Sequence, residues 1–308
     1  MIRSLALGIV FFAVLLSLGL AIPEFRTFVS LGMGKATPSQ APDPLRGVEL
    51  EARNVYVFDV TSRRPLFEKN ASEPRPLASL AKLMTALLAE ELVPPGIMVP
   101  VSPEARRQKD DSGILAGGEF RKEELLDFML AASSNGAAYA FAEFIGAGLD
   151  GNDRAAVSKF VALMNERARN LGMAQTSFLN PHGLDQIINN QRISGANGTA
   201  RDVSLLMEYI FKTHSRILAA TRSPEVAIIS GEGKKAFAEN TNKALGTIPR
   251  FIGGKTGFTS LAGGNLVFVF DAGFSRPILV SLLSSGEESR FEDARKIAEA
   301  VLEYYAKL

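Results

Sequence analysis

Cysteine is absent from the 308-residue chain, and histidine occurs only at positions 182 and 214. The lack of cysteine excludes disulfides, thiolate metal sites, iron–sulfur ligation and a cysteine nucleophile. A multi-histidine metal centre would need both His182 and His214. Charge of either sign is not in excess, since 34 Lys and Arg face 33 Asp and Glu. The chain therefore lacks a global basic field, and we expect no nucleic-acid partner.

An apolar run marks the N-terminus, from Leu5 to Ile22, and it stops at Pro23. As a helix, these roughly 18 residues would span about 27 Å, close to the thickness of a bilayer core. We expect residues 1–33 to be a membrane anchor or, alternatively, a cleaved signal peptide, which places the rest outside the cytoplasm. Residues 34–47 are rich in Gly, Pro and Ser and predict a linker, which leaves 48–308 for one globular domain.

Strand-like alternation occurs near both ends of the globular part, and helix-forming segments lie between them. The predicted strands are 55–60, 66–70, 264–270 and 277–283. The predicted helices with both ends defined are 79–92, 121–130, 135–145 and 289–308. A further short helix begins at Ser102-Pro103, and a long one is capped by Asn152 or Asp153 and ends at Gly172. Another helix starts with a capping box at Thr199 and Asp202. This order predicts a sheet assembled from both termini, with a helical subdomain inserted between its strands.

The first motif that suggests chemistry is Ser79-Leu-Ala-Lys82. On a helix, the i, i+3 spacing sets the serine hydroxyl and the lysine amine on one face, where they can share a proton. A lysine with an ordinary pKa near 10.4 is a poor base at neutral pH unless burial or a nearby cation lowers that pKa. Taken alone, the motif is common and is explained by a cap serine followed by a lysine that reaches to solvent.

The second motif is Ser133-Ser134-Asn135, at a predicted helix start. It offers a hydroxyl that can relay a proton and an amide that can hold a substrate carbonyl, although simple helix capping also explains it. The third motif, Gly253 to Thr259, contains Lys255-Thr256-Gly257. A phosphate-binding loop would need glycine at position 249, which is proline, so a cation and hydroxyls on a strand edge favour a substrate carboxylate instead.

In this order, the three motifs resemble the S-x-x-K, S-x-N and K-T-G pattern of the active-site serine penicillin-binding proteins. The chain is most similar to the low-molecular-mass D-alanyl-D-alanine carboxypeptidase family, also through residues 66–70, 76–85, 178–185 and 200–202. The resemblance runs from about Ala52 to the C-terminus. It implies the α+β fold of penicillin-binding proteins and β-lactamases, in which helices cover an antiparallel sheet and a helical subdomain is inserted, and it implies no metal or other cofactor.

The resemblance also implies roles for the first two motifs. Ser79 would attack the carbonyl of a terminal D-alanine peptide bond, with Lys82 as its general base. Ser133 would pass a proton to the leaving amine, and Asn135 would hold the substrate amide. The partners implied are a peptidoglycan stem peptide as substrate and β-lactams as covalent inhibitors.

In the third motif, Lys255 and Thr256 would bind the terminal carboxylate, assisted by Arg290. The backbone N–H groups of Ser79 and Phe258 would form the oxyanion hole, on a substrate-binding strand that continues through Gly257 and Thr259. This chain departs from the family at Ser134 and Gly136, where glycine and aspartate are usual, and at Phe258, where histidine or tyrosine is usual.

The resemblance further implies a place in the bacterial cell envelope, on the periplasmic side. From the apolar segment we expect residues 5–22 to anchor the protein in the inner membrane, or the protein to be secreted if that segment is cleaved. Known members continue into a further domain and a C-terminal anchor, so we expect the N-terminal segment to replace that anchor. His182 falls in the family's Asn-Pro-His-Gly loop and is expected to be structural, and His214 is expected at an exposed helix end.

Three alternatives remain at this stage. Short forms can act as endopeptidases on peptide cross-links. A β-lactamase would need a deacylating glutamate between the second and third motifs, and no Glu-x-x-x-Asn occurs there. The third is a catalytically silent envelope module that binds peptidoglycan stems.

Overall fold

The computed structural model of the protein describes residues 43–109, 118–149 and 155–307. The predicted N-terminal anchor and most of the predicted linker lie outside the described residues, so those domain boundaries stay predictions. Leu45, within the predicted linker range, is buried against the sheet. Within the described ranges, no helix is both long and apolar enough to cross a membrane.

The elements alternate along the chain as follows. The strands are β1 (Asn54–Asp59), β2 (Arg64–Lys69), β3 (Arg75–Pro76), β4 (Met98–Pro100), β5 (Glu119–Arg121), β6 (Ser177–Phe178), β7 (Gln186–Ile188), β8 (Gln191–Ile193), β9 (Ala196–Gly198), β10 (Glu225–Ile229), β11 (Lys235–Glu239), β12 (Phe251–Thr259), β13 (Gly263–Asp271) and β14 (Pro277–Ser285). The α-helices are α1 (Lys82–Leu92), α2 (Pro103–Arg106), α3 (Lys122–Ala131), α4 (Asn135–Gly148), α5 (Ala156–Asn170), α6 (Ala200–Thr213) and α7 (Ser289–Ala306), and 3-10 helices span Ala78–Ala81, Ser215–Leu218 and Ala220–Arg222.

A five-stranded antiparallel sheet organises the fold, in the order β12-β13-β14-β1-β2. The two strands at one side come from the beginning of the described chain and the other three from its end. The prediction of a sheet assembled from both termini is therefore confirmed. β12, which carries the third motif, lies at an edge of this sheet.

Both faces of the sheet are buried, and the side chains of β13 show how. Val267 and Val269 belong to one apolar core, which also contains the inserted helices. Leu266, Phe268 and Phe270 point to the opposite face and join a second core with α7. This period of two follows from the pleat of a strand. Because both faces are buried, the sequence of β13 is apolar at nearly every position.

The helix starts confirm the capping predictions only in part. Ser102 caps α2 with its hydroxyl, and Thr199 caps α6 by accepting the Asp202 N–H at 3.0 Å. The second half of the predicted capping box is wrong, because the Asp202 carboxylate instead accepts hydrogen bonds from Gln175 N–H and the Thr176 hydroxyl. The helix predicted to be capped by Asn152 or Asp153 begins at Ala156, and those two residues lie outside the described ranges.

Candidate active site

Ser79 and Lys82 lie where a 3-10 helix runs into α1. The prediction placed Ser79 on the α-helix itself, whereas it lies on the tighter turn before it. In a 3-10 helix, side chains three residues apart are eclipsed. This geometry sets Lys82 Nζ 2.8 Å from Ser79 Oγ, close enough for direct proton transfer.

The Lys82 ammonium is fully buried and is held by oxygen atoms from three segments. Besides Ser79, Nζ donates to Asn135 Oδ1 at 2.6 Å and to the backbone carbonyl of His182 at 3.2 Å. A buried amine needs such acceptors, because an unpaired charge away from water is costly. These contacts fix the position of Nζ relative to the serine hydroxyl.

The turn between α3 and α4 divides the second motif into two roles. Ser134 is the helix cap, and its hydroxyl accepts the Ala137 N–H at 3.1 Å. Ser133 has a φ of 59°, in the left-handed region that a non-glycine residue adopts at a cost of about 1–3 kcal/mol. In this conformation, Ser133 Oγ accepts a long-range hydrogen bond from Lys255 Nζ at 2.8 Å.

Asn135 is the first residue of α4, and both polar atoms of its buried amide have protein partners. Oδ1 accepts from Lys82, and Nδ2 donates to the carbonyl of Lys109 at 2.6 Å. The amide therefore positions the lysine. To hold a substrate carbonyl, Nδ2 would have to exchange the Lys109 oxygen for the substrate oxygen.

Lys255 is the central charge of the third motif. It is 1% exposed, and its Nζ donates to Ser133 Oγ and, at 2.9 Å, to the Thr256 carbonyl. Burial is the main cause that lowers the pKa of Lys255 to about 7, and the positive charge of Arg290 adds to it. The ammonium can thus change its charge near neutral pH.

β12 passes directly beside the 3-10 helix at Gly257. A Cβ atom added to Gly257 would lie 2.9 Å from the Leu77 carbonyl oxygen and 3.2 Å from Ser79 N, so only glycine allows this approach. The next residue, Phe258, is exposed at the sheet edge. The strand and the serine turn are therefore in contact where the resemblance places an oxyanion hole.

Arg290 of α7 is brought to the same strand. Its Nη1 donates to the Gly257 carbonyl at 2.8 Å, and its guanidinium lies 4.6 Å from the Phe291 ring centre and 5.9 Å from that of Phe258. Burial lowers the pKa of Arg290. The arginine thus braces the strand and adds positive potential beside Lys255.

The two threonine hydroxyls of the motif have protein partners. Thr256 Oγ1 is 2.6 Å from Thr241 Oγ1, and Thr259 Oγ1 donates to Asp185 Oδ1 at 3.0 Å. Both side chains are buried. Thr241 was not singled out from the sequence, because a hydroxyl pair between distant segments has no local pattern.

The two histidines occupy different places. The buried His182 ring is 3.1 Å from Gln108 Oε1 and accepts the Leu184 N–H at 3.2 Å, and burial together with Lys82 lowers the pKa of His182 to about 3. It is neutral at physiological pH. The sequence missed the part of His182 that contacts Lys82, its backbone carbonyl. His214 ends α6, with Nε2 3.7 Å from a Glu91 oxygen.

The segments thus form one connected array: a serine hydroxyl beside a buried lysine, a second hydroxyl beside a second lysine, and an edge strand at the serine turn. This array can support nucleophilic attack and binding of a carboxylate. Within the ranges that the structure covers, no group of three His, Cys, Asp or Glu residues is placed to hold a metal ion.

The sequence profile of the D-alanyl-D-alanine carboxypeptidases matches residues 36–285. The chain belongs to this family. It is similar to D-alanyl-D-alanine carboxypeptidase DacF of Bacillus subtilis, with 28% identity over 262 residues, which are 83% of this chain and 63% of DacF. It is also similar to a D-alanyl-D-alanine endopeptidase of Pseudomonas aeruginosa, with 27% identity over 283 residues, which are 88% of this chain and 84% of that protein. The chain therefore spans less than two thirds of DacF but most of the endopeptidase.

Solved structures show the same family and fold. A penicillin-binding protein of Listeria monocytogenes in its ampicillin-bound form is 31% identical, with a TM-score of 0.64, over 82% of this chain and 98% of that chain. A Streptomyces DD-transpeptidase matches with a TM-score of 0.73 and 24% identity, over 83% of this chain and 98% of that chain. Both the carboxypeptidase family and the penicillin-binding protein fold predicted from the motifs are confirmed.

Proposed function

We propose that this member of the family is a serine-type D-Ala-D-Ala carboxypeptidase, which removes the terminal D-alanine from peptidoglycan stem peptides through an acyl-enzyme on Ser79. The observation that carries the proposal is the 2.8 Å contact between the Ser79 hydroxyl and the fully buried Lys82 amine. In its neutral form, Lys82 takes the hydroxyl proton as Ser79 Oγ bonds to the scissile carbonyl carbon.

Ser133 is proposed to complete the first step. Its hydroxyl delivers a proton to the nitrogen of the departing D-alanine and is resupplied from Lys255, to which it is hydrogen-bonded. The proton that Lys82 took from Ser79 passes through solvent to Lys255, so Lys82 is neutral again and Lys255 is recharged. Lys82 then removes a proton from the water that attacks the acyl carbon, and it returns that proton to Ser79 Oγ as the acyl bond breaks. The N–H groups of Ser79 and Phe258 stabilise the negative oxygen in both steps.

Lys255, Thr256 and Arg290 are proposed to bind the terminal carboxylate of the substrate. A buried ammonium with a guanidinium nearby provides concentrated positive potential in a region of low polarity. From this arrangement we expect a preference for peptides that end in a free carboxylate.

An endopeptidase that cuts cross-links is the second candidate, favoured by the similarity to the Pseudomonas aeruginosa endopeptidase along most of its length. A silent binding module is less well supported, because Lys82 is hydrogen-bonded to Ser79 and Asn135, and Lys255 is hydrogen-bonded to Ser133, as the chemistry needs. We further propose that residues 5–22 hold the protein in the inner membrane with its catalytic domain in the periplasm, on the length of that apolar segment.

In the decisive experiment, the full-length protein and its Ser79→Ala variant are each incubated in detergent with a fluorescent penicillin. The intact mass of each protein is then measured by mass spectrometry. We expect a stable adduct of one penicillin on the parent protein and none on the variant. An adduct on both would exclude Ser79 as the nucleophile. If no adduct forms and the penicillin is consumed, the protein is a β-lactamase. If no adduct forms and the penicillin stays intact, the protein is a silent binding module. Release of free D-alanine from a linear pentapeptide, compared with cleavage of a cross-linked dimer, then separates carboxypeptidase from endopeptidase.

Lys255 provides a pH test of the carboxylate site. Its pKa of about 7 in the free protein means that the ammonium loses its charge above neutral pH. We expect the KM for an N-acylated peptide to rise by up to about tenfold per pH unit above 7, because only the protonated form attracts the carboxylate. In Lys255→Arg the side chain stays charged, so the KM should become flat between pH 6 and 9. A KM that does not change with pH in the parent protein would contradict this assignment.

A further inference from the structure

The hairpin of β10 and β11 lies on α3 and has one face in solvent. Its inner face packs on the core through Val226, Ile228, Ala236 and Ala238. The alternate side chains turn outwards, and Phe237 of β11 is 69% exposed. In the part of the chain that the structure describes, no third strand pairs with this hairpin. The outer edge of β11 is therefore open.

The hydrogen bonds of the hairpin show which backbone groups lie on that open edge. Ser230 N–H donates to the Lys234 carbonyl at 2.8 Å, and Asn240 N–H donates to the Pro224 carbonyl at 2.7 Å. Hydrogen-bonded pairs alternate with other pairs in an antiparallel ladder, so every second residue of β11 points its N–H and C=O away from β10. These residues are Lys235, Phe237 and Glu239. An edge of this kind is a template for a further strand.

The sequence of β11, Lys-Ala-Phe-Ala-Glu, is complementary to itself when it is paired antiparallel. With Phe237 opposite Phe237 of a second copy, Lys235 lies opposite Glu239 at both ends. The outward N–H and C=O groups of all three residues then pair with each other. Aromatic pairs and opposite charges across two strands stabilise such a sheet. A shift of two residues would instead place Phe237 opposite a charged side chain.

The charges on the outer face of the hairpin are not balanced within one molecule. Glu239 lies directly opposite Glu225, and like charges in this position destabilise a sheet. Among the residues that the structure covers, the ion pair of the hairpin joins Lys234 to Glu232 at the turn, and Glu239 has no basic partner. A second copy would bring a lysine to each Glu239.

We propose that the open edge of β11 is an interface between two copies of this protein. The copies pair through β11 about a twofold axis at Phe237, and the two hairpins form one four-stranded antiparallel sheet. Because the same surface serves both copies, the interface closes on itself and gives a dimer and not a filament. The interface is small, so the dimer dissociates on dilution. This inference does not depend on the proposed reaction.

Single cysteines test the pairing directly, because the chain has none of its own. In a hydrogen-bonded antiparallel pair the Cα atoms are about 5.5 Å apart, within the range of a disulfide. Full-length Phe237→Cys, oxidised in detergent, should therefore form a covalent dimer. Lys235→Cys alone should not, because the two cysteines would lie about 13 Å apart along the strands. An equal mixture of Lys235→Cys and Glu239→Cys should give the mixed dimer.

Charge reversals test the same interface without a covalent bond, by sedimentation of the full-length protein in detergent over a range of concentrations. Lys235→Glu and Glu239→Lys should each weaken dimerisation about tenfold, because each replaces two attractive pairs with two repulsive ones. The double variant Lys235→Glu/Glu239→Lys restores both attractions and should dimerise like the parent. Arg295→Gln on the outer face of α7 is the control and should also behave like the parent.

Three results would overturn the proposal. The first is a parent protein that is monomeric at every concentration, or a Phe237→Cys protein that does not cross-link. The second is equal cross-linking of Lys235→Cys and Phe237→Cys, which random collision would give. The third is a dimer that neither charge reversal weakens, since its interface would then lie on another surface.

Discussion

When Lys82 is replaced with methionine, we expect a β-lactam to acylate Ser79 about 10²- to 10⁴-fold more slowly, which is the usual rate contribution of a general base. Methionine fills a similar volume but cannot accept the serine proton. Acylation is measured as the rate at which the fluorescent penicillin adduct appears on full-length protein. A rate within fivefold of the parent value would remove Lys82 from the mechanism.

Lys122→Met is the matched control for this experiment. Lys122 is also a buried lysine at the start of a helix, where its Nζ donates to the Val93 carbonyl at 3.0 Å and lies 2.8 Å from a Glu90 oxygen. Both variants lose a buried ammonium, so both should lower the melting temperature. Only Lys82→Met should slow acylation per folded molecule, which separates chemistry from stability.

The second large effect is expected from Gly183→Ala, in the loop that supplies the His182 carbonyl to Lys82. Gly183 has a φ of +81°, and an added Cβ would lie 1.9 Å from the Ala78 carbonyl oxygen. The backbone must move to relieve this overlap, so we expect a loss of about 3 kcal/mol in unfolding free energy. Because Ala78 precedes Ser79 and His182 precedes Gly183, we also expect slower acylation.

Gly172→Ala makes the comparison quantitative. Gly172 has the same φ of +81°, but no atom lies within 4 Å of its added Cβ. It should show only the backbone cost of a left-handed alanine, about 1 kcal/mol, with normal acylation. Chemical denaturation of both variants gives the difference. If the two variants lose equal stability, the close packing of the loop on the serine turn is not what makes Gly183 necessary.

The sequence predicted the elements whose pattern is local. The apolar runs in residues 55–60 and 264–270 come from strands that are buried on both faces, and they are visible without knowing the partner strands. The three motifs of the candidate active site were likewise found, because each places its polar side chains at short, fixed spacing. Their convergence in space followed from the family resemblance and not from the spacing.

What the sequence did not predict depends on contacts between distant segments. The residues around Ser79 favour an α-helix, but Ser79 lies on a 3-10 turn. β12 packs against this turn through Gly257. Ser133 has a left-handed backbone conformation and is hydrogen-bonded to Lys255, which lies 122 positions away in the sequence. The His182 carbonyl was missed because every residue has one, and only the fold decides which carbonyl faces an ammonium.

The pairing of β1 with β14 has a consequence for how the protein is made. Asn54 pairs with Leu283, so a fully buried strand leaves the ribosome more than two hundred residues before its partner. At about 5–20 residues per second, that interval lasts on the order of 10–45 s. Throughout it, the edge of β1 that β14 will cover is open for wrong pairing, even after β2 has paired with the other edge. A nascent chain of this protein therefore needs shielding until its last third is synthesised, and a chain truncated before β14 cannot form the central sheet.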